Sequence, residues 1–338
     1  MPGKPPRSLP LPDGQRLSLA DDGDCLALRL DEQPLLRARR LQHGTGQVLQ
    51  PVELPLQAQA AALELLAYAC FAGDAACQAV VLRLDEVDPA LLARGLLLAG
   101  DADGLWLIER SMFWQLPGRF LRALASAGYP QSLVMHPSGR RHPRRAPKPV
   151  GEVYRRFDAR LGAWIALRSL DIEGDLQRFN RWQNHPRVAA FWQEEGDLEQ
   201  HRAYLSGLAA DPRVLTLIGA FDEQPFAYYE AYWAKEDRIA PFYPAEDYDR
   251  GIHMLVGEDA HRGPHKVAAW LGALVHYLFL DEPRTQRIVC EPRADNARMI
   301  QHLQALGFAR HKEFDFPHKR AALMVLEREA FFARCPLC

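Results

Sequence analysis

The segment that most constrains the fold is a strand, a helix and a second strand between residues 249 and 292. "RGIHMLVGE" is typical of a strand, "VAAWLGALVHYLFL" of a long apolar helix and "RIVCEP" of the next strand. Two strands joined by such a helix lie parallel in one sheet, because the crossover must pack back onto it. The chain is therefore expected to contain an α/β fold built around a parallel pair.

The rest of the C-terminal half extends this unit into an α+β mixed sheet. Its predicted order is strand, two helices, three strands, helix, strand, helix and two strands. The N-terminal half contains the predicted strands "DCLALRL", "AVVLRLD" and "GLWLIER", and the predicted helices "QAQAAALELLAYACFAG" and "LPGRFLRALASAG". A Pro- and Arg-rich stretch at residues 136–156 suggests a linker. The expected domains are residues 1–150, with a structural or interface role, and residues 151–338.

Composition limits the function classes. The chain has 338 residues, of which 48% are hydrophobic and 25% charged, with a formal net charge of −2. These values are typical of a soluble protein and do not favour a nucleic-acid or membrane partner, although "RRHPRR" keeps a nucleic-acid alternative open. The sequence has no apolar run of 18 residues and no signal-peptide pattern, so a cytoplasmic location is expected. The six cysteines form no disulfide framework, and the terminal "CPLC" indicates a zinc site only weakly; no metal is expected.

One histidine stands out on the strand at residues 250–256. Ile252, Met254 and Val256 are expected on one face of this strand, and His253 and Leu255 on the other. Because Leu255 is apolar, both faces are expected to be covered. Glu291 lies at the end of the next predicted strand, before Pro292. If the strands are neighbours, the two side chains can meet where the sheet opens, and the carboxylate can orient the imidazole. The alternative is a core histidine with satisfied hydrogen bonds.

Two further segments suggest binding sites. In "HRGPHK", Gly263 allows close backbone approach and the following helix start favours an anion such as a pyrophosphate; an ordinary loop is the alternative. The segment "YYEAYWAKEDRIAPFYPAEDYDRG" combines aromatic and acidic side chains, which suit a cationic or polar amphipathic ligand. A half-buried hairpin would explain the same pattern.

Taken together, these segments resemble the GNAT superfamily of acyl-CoA-dependent N-acyltransferases. The similarity is greatest to its siderophore-biosynthesis branch: the aerobactin- and rhizobactin-type hydroxylysine acetyltransferases and the mycobactin lysine acyltransferase. The matching stretches are "WQNHPRVAAFWQEE", "YYEAYWAKEDRIAPFYPAEDYDRGIHMLVGE", "HRGPHK" and "CEPRADNARMIQHLQALGF", over roughly residues 160–326. Two departures stand out: the loop has Ala260 and His265 at its outer positions, and Glu291 replaces an aspartate.

The resemblance implies a V-splayed sheet with acyl-CoA, typically acetyl-CoA, in the splay. A backbone N–H of the His253 strand would polarise the thioester carbonyl. The cofactor contacts it implies are Met254, Leu255, Val256, His261, Arg262, Gly263, His265, Lys266 and Asn296. The resemblance does not extend to the N-terminal half, residues 1–150. Its segment "AAALELLAYACFAGDAACQAVVLRLD" is similar to the long helix and strand of the second half, which suggests a degenerate copy of the same fold.

The implied function is acylation of an N-hydroxylated amine, such as N6-hydroxylysine or a related diamine, to form a hydroxamate for iron acquisition. His253 is expected to take the proton and Glu291 to hold the imidazole as the catalytic pair. The candidate substrate-binding residues are Trp182, His185, Trp192, Tyr229, Glu230 and Trp233. Three alternatives remain: acylation of a finished siderophore, acylation of another small amine such as an aminoglycoside, and a non-catalytic acyl-CoA-binding module. The oligomeric state is open.

Overall fold

The computed structural model describes residues 4–44, 46–102, 104–123, 128–137 and 139–337. They form two compact units: the described residues of 1–118, 157–162 and 332–338, and those of 119–156 and 163–331. Residues 119–150, which the sequence assigned to the N-terminal domain, belong to the second unit. Among the described helices, none combines the length and the apolarity needed to cross a membrane.

The first unit is built on an eight-stranded sheet. Its strands are β1 Lys4–Pro10, β2 Arg16–Asp21, β3 Cys25–Leu30, β4 Gln33–His43, β5 Gly46–Val52, β6 Ala79–Arg83, β7 Leu98–Ala99 and β8 Leu105–Glu109. Its helices are α1 Leu56–Gly73, α2 Pro89–Ala93 and α3 Arg110–Phe113. A short two-stranded sheet, β9 Leu133–Met135 and β10 Arg141–Pro143, follows in the chain.

The C-terminal sheet also has eight strands. They are β11 Glu152–Asp158, β12 Ala163–Ser169, β13 Val214–Phe221, β14 Gln224–Trp233, β15 Arg250–Val256, β16 Arg287–Cys290, β17 Ala309–Phe316 and β18 Lys319–Glu327. The helices are α4 Ile172–Gln183, α5 Pro186–Trp192, α6 Leu198–Ala210, α7 Pro264–Asp281, α8 Ala297–Leu306 and α9 Arg328–Arg334. This is the predicted mixed sheet, with helix α5 in addition.

The two large sheets share one topology. The first has the order β1-β2-β3-β4-β5-β6-β8-β7 and the second β11-β12-β13-β14-β15-β16-β18-β17, so adding ten to each strand number converts one into the other. Each contains a parallel pair, β5–β6 and β15–β16, bridged by an 18-residue helix. This agrees with the predicted degenerate copy. The N-terminal copy has only residues 53–55 between β5 and α1, and strand β5 has no histidine.

The parallel pair of the second sheet is short, so the sheet opens where the pairing ends. Strand β15 pairs with β16 at Arg250–Ile288 and Gly251–Val289, and the ladder then ends. On its other side β15 pairs with β14 along its whole length, from Arg250 to Val256. Residues 252–256 therefore have a strand partner on one side only, which leaves their other backbone edge open.

Helices cover both faces of this sheet. In α7 every residue from Ala269 to Asp281 is buried, as expected for a helix that is apolar on all sides. On the opposite face, Phe179 of α4 and Leu205 of α6 pack against Tyr228 and Leu255 of the sheet. Burial on both faces explains why Leu255 interrupts the polar alternation of β15.

Three local predictions need correction or restriction. The segment "DLQRFNRWQN" predicts a helix capped by Asp175, but α4 begins earlier, and its N-cap is Asp171, whose side chain accepts from the Gly174 N–H. The predicted helix "LPGRFLRALASAG" is absent from its described part up to residue 123, and residues 124–127 lie outside the description. The terminal C-x-x-C cannot be assessed because Cys338 also lies outside the described residues.

The close pairing of β14 and β15 gives a stability prediction. A Cβ on Gly251 would overlap the ring of Tyr232, its cross-strand partner, which is buried and held by its hydroxyl. We expect Gly251→Ala to lower the free energy of unfolding by about 1–3 kcal/mol or more, measured by guanidinium denaturation.

The matched control is Gly207→Ala in helix α6, where the new methyl group meets nothing within 4 Å. It should leave stability unchanged or raise it by about 0.5–1 kcal/mol, since alanine favours the helix. Equal stability of Gly251→Ala and the wild type would contradict the packing described.

Candidate active site

A cavity of about 1160 Å³ opens where the β15–β16 ladder ends. Its walls include residues 252–256 of β15, residues 290–296 from the end of β16 onward, residues 191–194 at the C-terminal end of α5, and residues 318–320 at the β17–β18 turn. The cavity is large enough for a sizeable ligand, since pockets for small molecules measure about 300–1,000 Å³.

His253 lies in this cavity between two carboxylates. Its Nδ1 is 2.8 Å from Glu230 Oε2, and its Nε2 is 2.7 Å from Glu291 Oε1. The imidazole is 23% exposed, whereas the side chains of Glu230 and Glu291 are buried. The sequence expected His253 and Glu291 to meet at the opening of the sheet, and the structure brings them into hydrogen-bond contact.

Tyrosine hydroxyls complete the network around the carboxylates. Tyr204 and Tyr228 both donate to Glu230 Oε1, at 2.6 and 2.8 Å. Tyr232 donates to Glu291 Oε2 at 2.7 Å. Every carboxylate oxygen therefore has at least one donor, which holds both groups in place and compensates the cost of burying them.

The strand register explains how the sequence builds this arrangement. Glu230 and His253 are direct cross-strand partners, and Tyr232 pairs with Gly251 two positions away on the same face. Because Gly251 has no side chain, the Tyr232 ring can lie over it and reach Glu291. Glu291 follows Cys290, the last residue of β16, directly beside the ring.

The electrostatics favour a protonated imidazole. Burial alone would lower the pKa of His253, but the charges and hydrogen bonds of Glu291 and Glu230 outweigh it and raise the pKa to about 10. Burial alone would raise the pKa of Glu291, yet the His253 charge and hydrogen bond, with Lys319 and Tyr232, lower it to about 2. At neutral pH the group is thus an imidazolium donating both N–H groups to ionised carboxylates.

The predicted cofactor residues lie along β15 and the loop that follows it. Gly263 has a φ of 120°, which favours glycine, and it caps α7, whose first turn begins with Pro264. Asn296 caps α8 by accepting from the Met299 N–H at 3.2 Å. Six of the nine line the cavity: Met254, Leu255, Val256, Arg262, Gly263 and Asn296.

The other three lie beside the cavity rather than along its wall. His261 stacks on Phe221, with ring centroids 5.4 Å apart. Lys266 Nζ donates to the Ala260 carbonyl at 2.7 Å, which ties the loop to the helix start. His265 is in the first turn of α7.

Of the six predicted substrate-binding residues, Trp192 and Glu230 line the cavity and four do not. Trp182 is buried and donates to Glu258, and His185 caps α5. Tyr229 faces the other side of the sheet, where it packs against Trp270. Trp233 lies between the guanidinium groups of Arg145 and Arg250, each 4.1 Å from its ring.

Several residues of the site were missed by the sequence reasoning. Tyr228 and Tyr232 were not predicted, and Glu230 was predicted only as a substrate contact. The three occupy alternate positions of β14, so a period of two would have placed them on one face. Tyr204 comes from helix α6, Arg238 from a turn and Lys319 from the start of β18, and no local pattern links them to His253. Among the described residues, no group of three or more His, Cys, Asp or Glu side chains has a metal-binding arrangement.

Known proteins show clear similarity to this chain. Residues 171–316 match the acetyltransferase (GNAT) domain family. A putative lysine N-acyltransferase of Schizosaccharomyces pombe is 46% identical over 234 residues, covering 69% of each chain. The N(6)-hydroxylysine O-acetyltransferase of Escherichia coli is 45% identical over 231 residues, covering 68% of this chain and 73% of the relative.

A solved structure shares the fold of part of this chain. An uncharacterized protein from Bacillus halodurans matches 56% of this chain and 95% of its own, with 30% identity and a TM-score of 0.53. The matched share is about one domain of the chain.

The double carboxylate contact predicts how the imidazole titrates. We expect His253 in the wild-type protein to stay protonated through neutral pH and to lose its proton near pH 10. In Glu230→Gln one of the two carboxylate charges that raise this pKa is removed, so the titration should move to lower pH. Imidazole NMR shifts followed against pH measure it directly.

Tyr204→Phe is the matched control, because it removes one hydrogen bond to Glu230 and keeps the charge. Its effect on the His253 pKa should be much smaller than that of Glu230→Gln. A wild-type His253 titrating near 6.5, the ordinary value for histidine, would contradict the assignment of an imidazolium.

Proposed function

This chain belongs to the GNAT acyltransferase family, and we propose that it transfers the acyl group of an acyl-CoA, acetyl-CoA in the simplest case, to the nitrogen of an N-hydroxylated amine such as N6-hydroxylysine. The product is a hydroxamate of the kind used in siderophores for iron acquisition. The observation that carries the proposal is the Glu230–His253–Glu291 network at the open edge of β15. The 45% identity to a hydroxylysine acetyltransferase supports the choice of acceptor.

The residues around α7 fit the cosubstrate. The start of this helix presents unpaired N–H groups and the positive end of its dipole, beside Gly263 and Arg262, and suits the diphosphate of an acyl-CoA. The open edge of residues 252–256 offers backbone groups to the pantetheine arm. A backbone N–H there would stabilise negative charge on the thioester oxygen.

The chemistry of the acceptor suits a site without a neutral imidazole. A hydroxylamine nitrogen is largely unprotonated at neutral pH, because the attached oxygen withdraws electrons. The site therefore needs to orient the nitrogen and to remove its proton only after attack has begun. A weak carboxylate base suffices, since the nitrogen becomes strongly acidic once it bonds to the carbonyl carbon.

The protonation state of His253 changes the roles expected from the sequence. Glu291 takes the proton from the attacking nitrogen, and His253 gives its Nε2 proton to the departing sulfur. Glu291 then returns its proton to His253 across their 2.7 Å hydrogen bond. One C–N bond forms and one C–S bond breaks, and both residues end in their starting states. Glu230 is a positioning residue that holds the imidazolium through Nδ1.

This function can be tested with N6-hydroxylysine and acetyl-CoA, following thiol release and the colour of the ferric hydroxamate. We expect both signals with the wild type. Glu291→Gln should lower kcat by about 10²–10⁴-fold, the usual contribution of a proton-transfer group. Glu173→Gln, a change at an exposed carboxylate paired with Arg202 away from the cavity lining, is the control and should leave kcat unchanged.

The readouts separate the other outcomes. Thiol release without ferric colour would mean acylation of oxygen rather than nitrogen. Thiol release with an aminoglycoside or a finished siderophore, but not with N6-hydroxylysine, would mean that the enzyme acylates that compound and not the proposed acceptor. Acyl-CoA binding with no turnover of any amine would contradict an enzymatic role, as would full activity in Glu291→Gln.

A further inference from the structure

Most arginines that line the cavity already have an acidic partner. Arg187 and Arg262 pair with Asp259, Arg213 with Asp211, Arg293 with Asp295 and Arg320 with Glu313. The side chains of two lining arginines, Arg238 and Arg298, form neither a hydrogen bond nor an ion pair with any residue that the structure describes. A cationic side chain left without a partner in a binding cavity is available for an anionic ligand group.

The two unpaired arginines belong to different parts of the site. Arg298 is in the first turn of α8, two residues after the helix cap Asn296, on the side that suits the cosubstrate. Arg238 is in the turn after β14, the strand that carries Glu230. Arg238 thus follows the strand that supplies the His253 partner Glu230, whereas Arg298 belongs to α8.

Arg238 and Lys319 both lie over the aromatic ring of Phe316, and Lys319 contacts the carboxylate network. The guanidinium carbon of Arg238 is 5.3 Å from the centroid of Phe316, and Lys319 Nζ is 5.6 Å from the same centroid. Lys319 also donates to the backbone carbonyl of Glu291 at 2.7 Å. The cationic groups over Phe316 are therefore linked through Lys319 to Glu291, one of the two carboxylates hydrogen-bonded to His253.

The same cavity is lined by an acidic side chain without a partner in the described part of the chain. The side chain of Glu194 lines the cavity and forms no hydrogen bond or ion pair with a described residue. Burial and the charge of Glu230 raise its pKa, and the charges of His201 and Arg238 lower it in part. Glu194 and Arg238 line the same cavity and form no ion pair with each other, although their charges are opposite.

We propose that Arg238 and Glu194 form a subsite for the zwitterionic head of an α-amino acid acceptor. Arg238 binds the α-carboxylate, with Lys319 adding positive potential, and Glu194 binds the α-ammonium group. The inference rests on the proposed function and narrows it: the acceptor is an N-hydroxylated amino acid, and a decarboxylated diamine is a poor substrate.

The subsite also accounts for the two unpaired charges. An isolated ammonium ligand would leave Arg238 without a partner, and an isolated carboxylate would leave Glu194 without one. A zwitterion supplies both counter-charges, and its neutral total charge suits a cavity in which five of the seven lining arginines are already paired.

The test uses acceptors that each lack one half of the head group. N6-hydroxylysine has both groups, N-hydroxycadaverine lacks the carboxylate and 6-(hydroxyamino)hexanoate lacks the α-ammonium. We expect Arg238→Gln to raise KM for N6-hydroxylysine about 10- to 100-fold, the range for loss of a charged hydrogen bond, and to leave KM for N-hydroxycadaverine nearly unchanged. Glu194→Gln should raise KM for N6-hydroxylysine and spare 6-(hydroxyamino)hexanoate.

Arg298→Gln is the matched control, as the other unpaired arginine of the described lining, and it should leave the ratio of kcat/KM between acceptors unchanged. Equal kcat/KM of the wild type for N6-hydroxylysine and N-hydroxycadaverine would overturn the subsite while the proposed function stands. An Arg238→Gln substitution that raises KM equally for both acceptors, or for neither, would also overturn the subsite. Absence of turnover by the wild type with all three would overturn the proposed function and the subsite together.

Discussion

The active site depends on one imidazolium held between two buried carboxylates. Removing Glu230 or Glu291 from water is costly, and each is stabilised by His253 together with tyrosine hydroxyls. The charge balance fixes the protonation of all three groups. The early end of the β15–β16 ladder then gives this network a cavity beside it, so that its protons can reach a bound substrate.

The two sheets show what such a site requires beyond the fold. Both have the same strand order and an 18-residue helix across the parallel pair. Only the second has a seven-residue loop with Gly263 at its helix start, and a histidine on the strand before it. The N-terminal copy retains the topology, while the chemistry depends on residues such as His253 and Glu291 added to it.

The sequence predicted most of the second sheet because its patterns are local. The strand, long helix and strand around His253 have clear periodicities, and the capped helices α6 and α8 have recognisable ends. The meeting of His253 and Glu291 followed from the parallel crossover. Tyr229 and Trp233 were expected in the pocket because the segment is rich in aromatic and acidic residues. Its composition does not show which face of β14 each residue occupies. The protonation of His253 was missed because Glu230 was considered only as a ligand contact, and its cross-strand register was not visible in the sequence.

The central claim is that His253 starts each turnover as a cation. The most direct test is the dependence of kcat on pH for the wild-type enzyme with a hydroxylamine acceptor whose nitrogen is unprotonated over the range studied. The account predicts a rate that is level through neutral pH and falls as the pH passes about 10, where His253 loses its proton. A rate that rises with an apparent pKa near 6.5, the ordinary value of a histidine base, would contradict it.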